Sequence, residues 1–90
     1  MQVKFFATYR QIADCKSCDV KAPQDVLALL GELCERWPAF RPLILNADGT
    51  DKGDDAIVMV NGRHIEHLDG VATPLSERDY VAITPLVAGG

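Results

Sequence analysis

The chain has 90 residues, of which 48% are apolar and 24% charged, a composition typical of one folded globular domain. Nine Lys and Arg against thirteen Asp and Glu give a net charge of −4, which opposes binding to the phosphate backbone of nucleic acids. The longest apolar runs, Val26–Leu30 and Ala56–Val60, are far shorter than the roughly 20 residues of a membrane-spanning helix. We therefore expect a single domain over residues 1–90 that binds neither nucleic acid nor a membrane.

The first twenty residues predict two strands joined as a hairpin. Gln2–Ala7 alternates with period two, so that Phe6 faces away from the core positions of that strand. The expected core positions are Val3, Phe5 and Ala7. Tyr9–Ala13 is typical of a turn or a short helix, and Ser17–Lys21 alternates again, with Cys18 and Val20 on one face.

An amphipathic helix is predicted between Pro23 and Trp37. Pro23 suits the first helical position, where a missing N–H costs nothing, and Pro38 ends the helix. The apolar face recurs at a spacing of three and four residues. Its members are Val26, Leu29, Leu30, Leu33, Cys34 and Trp37.

The second half of the chain predicts a loop and three more strands. Asn46–Asp55 is rich in Asp and Gly and has no periodicity, so we expect a solvated loop. A β-branched strand follows, then Asn61-Gly62, whose residues both tolerate the positive φ of a type I′ turn. Arg63–His67 is predicted to return as a short strand, and Tyr80–Thr84 to form the last strand, which Pro85 stops.

This order of elements predicts the α+β class. Sandwiches lack the central helix, and doubly wound folds alternate strands and helices more regularly. A mixed sheet of four to five strands around one main helix accounts for the order. We therefore expect a β-grasp, or ubiquitin-like, domain with residues 86–90 as a flexible, extended tail.

The last two residues, Gly89 and Gly90, carry the functional signal. A frayed end is the simpler interpretation, because terminal residues are often poorly ordered. Glycines also have no Cβ, so such a tail passes through a narrow channel and brings its carboxylate to a reactive centre. Five residues beyond Pro85 reach at most about 17 Å, which is enough to enter the active site of another protein.

Nearly the whole chain resembles the ThiS/MoaD family of ubiquitin-like sulfur carriers, and most closely the small subunit of molybdopterin synthase. The resemblance rests on the opening Val3–Ala7, the Val60-Asn61-Gly62 turn, the Thr73–Asp79 connection and the ending. The ending is its most specific part: Pro85, Val87, Gly89 and Gly90 match the family pattern Pro-x-Val-x-Gly-Gly.

The resemblance implies a carrier rather than an enzyme that acts alone. An E1-like adenylating enzyme (MoeB/ThiF-like) would activate the carboxylate of Gly90 with ATP, and a sulfur donor would convert the adenylate to a thiocarboxylate. In the pterin branch, the tail enters the large synthase subunit (MoaE-like) and its sulfur completes the dithiolene. The carrier binds no cofactor tightly, since ATP belongs to the activating partner.

The resemblance also implies a partner interface on the sheet, formed by Phe6, His64, Thr84 and Pro85, with Val87 and Ala88 in the tail. Thr84 and His64 depart from the pattern, because apolar side chains are common at both positions. Three alternatives stay open: a sulfur carrier for thiamine, cysteine or tRNA thiolation, a ubiquitin-like protein modifier, or a binding module whose tail is inert. Arg10 and Arg63 are candidates for docking an acidic surface.

Cysteine and histidine patterns suggest metal or redox chemistry less strongly. Cys15 and Cys18 have the spacing of a redox pair, but the motif leads into a strand, whereas redox motifs usually open a helix. A zinc site lacks a full set of four ligands, and on a strand His64 and Glu66 share a face while His67 points away. We expect core packing for Cys18 and Cys34, and no bound metal. The odd cysteine count and the absence of a signal peptide pattern favour a cytoplasmic location.

Overall fold

The computed structural model describes residues 1–44 and 56–85. The predicted loop and the predicted tail, residues 46–55 and 86–90, lie outside the described residues. The strands are β1 (Gln2–Phe5), β2 (Ser17–Asp19), β3 (Ala56–Val60), β4 (Arg63–His64) and β5 (Tyr80–Pro85). The α-helices are α1 (Thr8–Ala13), α2 (Val26–Arg36) and α3 (Arg41–Ile44), and short 3-10 segments cover Pro38–Phe40, Ile65–His67 and Gly70–Ala72.

The five strands form one mixed sheet in the order β2-β1-β5-β3-β4. β1 and β5 run parallel at its centre, and the other neighbours are antiparallel. In the central pair, Val3 lies beside Val81 and Phe5 beside Ile83, and all four side chains are fully buried. The sheet and its main helix confirm the predicted β-grasp class.

The helix α2 covers the inner face of the sheet with the apolar stripe that the sequence predicts. Its buried members, each at most 1% exposed, are Val26, Leu29, Leu30, Leu33 and Cys34. An aromatic cluster extends this core, because the ring of Phe5 stacks on Phe40 at 5.7 Å and meets Trp37 edge-on at 5.4 Å. At about 25 cal/mol per Å² of buried apolar surface, such side chains supply most of the driving force for folding.

The start of α2 differs from the prediction. Asp25 is the N-cap, and its Oδ1 accepts a hydrogen bond from the backbone N–H of Ala28 at 2.9 Å. Pro23 therefore precedes the helix and does not occupy its first turn. An Asp side chain satisfies a free helical N–H directly, which outweighs the preference of Pro for the first position. The predicted end is confirmed, since Trp37 is the C-cap and Pro38 follows it.

Three other boundaries also differ. β1 ends at Phe5, and Ala7 is exposed with φ 53°, so Ala7 does not belong to the core. Ile65–His67 forms a 3-10 segment, so the predicted return strand covers only β4. β5 includes Pro85, which lies opposite Ala56, although proline donates no ladder hydrogen bond.

The predicted type I′ turn between β3 and β4 is confirmed. Asn61 has φ 53° and Gly62 has φ 85°. The Asn61 side chain also fixes the start of β5, because its Nδ2 donates to Asp79 Oδ1 at 2.9 Å and its Oδ1 accepts from the N–H of Tyr80 at 3.0 Å. These bonds hold the hairpin against the central strand.

The structure also bears on the membrane question. Within residues 1–44 and 56–85, no helix has the length and apolar character needed to cross a bilayer.

Candidate functional site

The outer face of the sheet carries an open apolar groove. Outward positions of the strands are only partly buried, in contrast to the inward ones. The groove has a volume of about 380 Å³ and holds no charged side chain in its walls. Its lining residues are Phe6, Met59, Gly62, Tyr80, Ala82 and Thr84. A concave apolar surface of this kind suits the side chains of a partner.

Phe6 lies at one end of the groove. Its backbone N–H donates to the carbonyl of Ile83 at 3.1 Å, which continues the β1–β5 pairing beyond the end of β1. The side chain is partly buried and faces outward, opposite in phase to Phe5. The guanidinium of Arg10 lies 5.3 Å from the centre of the Phe6 ring, and Arg10 Nε donates to the carbonyl of Phe5 at 2.9 Å. Arg10 therefore holds the ring in place from α1.

Thr84 and Pro85 lie at the same end, where β5 finishes. Thr84 lines the groove, and Pro85 pairs with Ala56. The four tail residues singled out by the sequence, Val87, Ala88, Gly89 and Gly90, lie outside the described residues. Residues 86–90 follow Pro85 directly in sequence, so the Phe6 and Thr84 end of the groove lies next to the last described residue.

His64 lies on the outer face beside the groove. It pairs with Met59 across β3 and β4, which puts the two side chains on one face. Its Nδ1 accepts a hydrogen bond from the N–H of Glu66 at 3.1 Å, and its ring lies 6.4 Å from that of His67. The two histidines therefore come closer than the predicted strand allowed. No group of three His, Cys, Asp or Glu side chains suited to a metal occurs in the described ranges.

The cysteines are placed as packing residues. Cys18 lies opposite Val3 in the β1–β2 register and, like Cys15, packs against the core. Partial burial raises the pKa of the Cys18 thiol, the neighbouring Cys15 raises it further, and Arg36, whose Nη1 lies 3.9 Å from the sulfur, opposes the shift. Burial also raises the pKa of Cys34. A raised pKa keeps the thiol protonated and disfavours nucleophilic chemistry.

A second opening, of about 470 Å³, lies beside the hairpin turn. Its polar walls already satisfy one another: Asp79 accepts from Asn61 Nδ2 and from the N–H of Ser76, and Thr73 Oγ1 donates to Gly70. The hydrogen bonds from Asn61, the largest cause, and from Ser76 lower the pKa of Asp79. These polar groups hold the loop before β5 in place, and Arg63 is the cation at the rim of the opening.

Sequence reasoning missed several walls of the outer groove. Met59, Tyr80 and Ala82 occupy outward positions of β3 and β5, and each alternates with buried neighbours. The same period-two argument that singled out Phe6 identifies them, once the two strands are known to be adjacent. That β3 and β5 are neighbours follows from the order of the strands in the sheet, which the local sequence pattern does not predict.

The mixed sheet, its single main helix and the outer groove define a ubiquitin-like protein of the β-grasp type. The ThiS family model matches residues 3–90, and the chain belongs to the ThiS family. The predicted resemblance is thereby confirmed at the level of the family. This family comprises ubiquitin-like sulfur carriers and modifiers.

The relatives include proteins named as modifiers and one named as a putative molybdopterin converting factor subunit. Small archaeal modifier protein 3 of Haloferax volcanii is 36% identical over 93 residues, which cover 100% of this chain and 98% of that protein. The small archaeal modifier protein 1 of Methanosarcina acetivorans superposes with a TM-score of 0.85 at 28% identity, over 99% of this chain and 94% of that one. A putative molybdopterin converting factor subunit 1 of Pyrococcus furiosus gives 0.77 at 28% identity, over 96% and 95% of the two chains.

Proposed function

We propose that the chain carries sulfur as a thiocarboxylate on the main-chain carboxylate of Gly90, and donates it for dithiolene formation as the small subunit of a molybdopterin synthase. The observation that carries the proposal is the family match itself, which includes Gly89 and Gly90. Similarity to the putative converting factor of Pyrococcus furiosus supports the pterin branch.

The chemistry needs no catalytic side chain on the carrier. An E1-like enzyme joins AMP from ATP to the Gly90 carboxylate and releases pyrophosphate, which makes the carbonyl carbon electrophilic. Sulfur at the sulfide level, supplied by the donor as hydrosulfide, then attacks that carbon, the bond from the carbonyl carbon to the AMP oxygen breaks, and the sulfur remains as the thiocarboxylate while AMP leaves. Acid, base and metal ligands belong to the partners, which act on a group that the carrier presents.

The outer groove is the proposed docking surface for these partners. Phe6 and Thr84 line it, His64 flanks it, and Pro85 marks the point where the tail leaves the sheet. Docking there would place the end of the tail within about 17 Å of Pro85, inside the active site of the adenylating enzyme or of the large synthase subunit. Val87 and Ala88 keep the tail slim on the way in.

Protein modification is the second candidate, and the relationship to small archaeal modifier protein 3 favours it. Activation would be the same, but the adenylated carboxylate would end in an amide bond to a lysine amine of another protein. The two functions therefore differ in the acceptor and share the reactive group.

Intact mass spectrometry of the protein incubated with an E1-like enzyme, ATP and a sulfur donor tests the proposal. We expect one oxygen of the protein exchanged for sulfur, and no exchange in a variant with a residue added after Gly90, because the carboxylate becomes an amide. Deletion of Gly90 shortens the reach by about 3.3 Å, which should reduce transfer on the order of a hundredfold. Gly90→Ala keeps the carboxylate and should impair transfer partially.

The acceptor decides between the two candidates. Transfer of the sulfur to a pterin precursor in the presence of a large synthase subunit supports the pterin role, whereas adducts on lysines alone support modification. Sulfur transfer by the extended chain would exclude Gly90 as the site and favour an inert tail.

A further inference from the structure

Two cations lie over the aromatic rings that wall the outer groove. The Arg10 guanidinium lies 5.3 Å from the centre of the Phe6 ring, and Lys4 Nζ lies 5.5 Å from the centre of the Tyr80 ring. The rings mark opposite ends of the groove, since Tyr80 begins β5 and Phe6 is bonded to Ile83 near its end. At about 3.3 Å per residue, the ends are roughly 10 Å apart.

Both cations are available for a partner. Over residues 1–44 and 56–85, no carboxylate forms a salt bridge with Lys4 or Arg10, and the one side-chain hydrogen bond of Arg10 goes to the carbonyl of Phe5. Among the strand positions that the structure describes, the register places one carboxylate on this face, Asp19 in the edge strand, which lies opposite Gln2. The chain has a net charge of −4, yet it presents positive charge beside the apolar outer groove.

Their position on the rings has a physical consequence. A cation held over an aromatic face is attracted by the ring quadrupole and keeps its charge at the rim of the groove. Arg10 is fixed further by its hydrogen bond to the backbone, so little side-chain entropy remains to be lost when a partner binds. A fixed positive rim around an apolar floor selects a surface of complementary charge.

We propose that the groove binds an apolar side chain of a folded protein partner that is flanked by carboxylates, with Lys4 and Arg10 supplying the complementary charge. The inference rests on the proposed function, in which the E1-like adenylating enzyme is that partner. The apolar side chain enters between Phe6 and Tyr80, and the carboxylates meet the two cations at the ends. Lys4 and Arg10 therefore determine which partner docks and how fast.

The test measures the association of the full chain with the E1-like adenylating enzyme by stopped-flow fluorescence at about 20 and about 200 mM NaCl, where screening lengths differ severalfold. Charge reversal of both cations, by Lys4→Glu and Arg10→Glu, should slow association at low salt by at least about tenfold. The wild-type rate should fall as salt rises, and the rate of the double variant should not.

Arg41→Glu is the matched control for either single reversal, because Arg41 is an exposed cation at the start of α3, away from the groove, and its reversal changes the net charge by the same amount as Lys4→Glu or Arg10→Glu alone. We expect its association rate to stay within twofold of wild type. Loss of the Arg10 hydrogen bond could lower the melting temperature of the double variant. In that case the single variants Lys4→Glu and Arg10→Gln replace it in the same association measurement.

Equal rates for wild type and the charge-reversed variants, or association that salt does not affect, would overturn the inference. That result is separable from failure of the proposed function. A wild-type protein that is adenylated and thiocarboxylated but associates independently of Lys4 and Arg10 refutes the cationic rim alone. A wild-type protein that the enzyme neither binds nor adenylates refutes both.

Discussion

Replacement of Phe6 by Ala separates the interface from the core, because Phe5 beside it offers a matched control. Phe5 is fully buried and contacts the rings of Trp37 and Phe40, so Phe5→Ala should cost about 3–5 kcal/mol of folding free energy. Phe6 lines the open groove and does not belong to the side chains that pack against the core cluster. Its truncation should cost about 1 kcal/mol of stability.

Partner binding should depend more on Phe6 than on Phe5, which is the opposite of their expected effects on stability. An aromatic side chain that anchors an interface contributes about 2 kcal/mol or more, so Phe6→Ala should weaken binding of the adenylating enzyme by roughly thirtyfold. Urea unfolding measures the stability of both variants, and isothermal titration calorimetry measures binding. A stability loss for Phe6→Ala equal to that of Phe5→Ala, with unchanged affinity, would place Phe6 in the core and refute the assignment.

Three further predictions test the packing and the turn. Cys15→Ser should change neither the melting temperature nor sulfur transfer, and stoichiometric zinc that is lost in this variant would contradict the packing interpretation. Gly62→Ala should lower the free energy of unfolding by about 1 kcal/mol in chemical denaturation, because a residue with a Cβ is strained at φ 85° even though no atom lies within 4 Å of that Cβ. Gly31→Ala in α2 should raise the free energy of unfolding by about as much. The folded-state pKa of Asp79 is lowered, so the stability that its carboxylate contributes is present above its ordinary pKa near 4 and is lost as pH falls below that value. Asp79→Asn should therefore flatten the acid limb of a curve of unfolding free energy against pH. An unchanged acid limb would show that the hydrogen bond between Asn61 and Asp79 does not contribute to stability.

Local patterns predicted the elements whose signals are strong over several residues. The apolar stripe of α2 and the Asn61-Gly62 turn fall where the sequence placed them, because helical periodicity and positive φ are properties of a few adjacent residues. The predicted class follows from the order of these elements. The family resemblance added the expectation of a reactive tail, which composition alone did not supply.

Boundaries and cross-strand neighbours were less predictable. α2 begins after Asp25 and not at Pro23, because the Asp25 side chain caps the helix with one hydrogen bond. Ala7 lies outside the core because β1 ends two residues before the alternating pattern ends. Tyr80 and Lys4 meet only because β5 inserts between β1 and β3. Such contacts join residues far apart in sequence, so they depend on the tertiary arrangement and not on local propensity.

Because β5 inserts between β1 and β3, the outer groove is complete only when the last strand has joined the sheet. The centre of the sheet is built from the first and the last strands, so a chain lacking β5 has neither pairing partner for β1 on that side nor a wall for the groove. Pairings between residues this distant in sequence form late and are intrinsically slow. An enzyme that docks on the groove therefore meets it only on molecules whose final strand is in place. Under the proposed function, recognition of the sheet face would therefore select folded carriers, so that ATP would be spent only on molecules in which the sheet is complete.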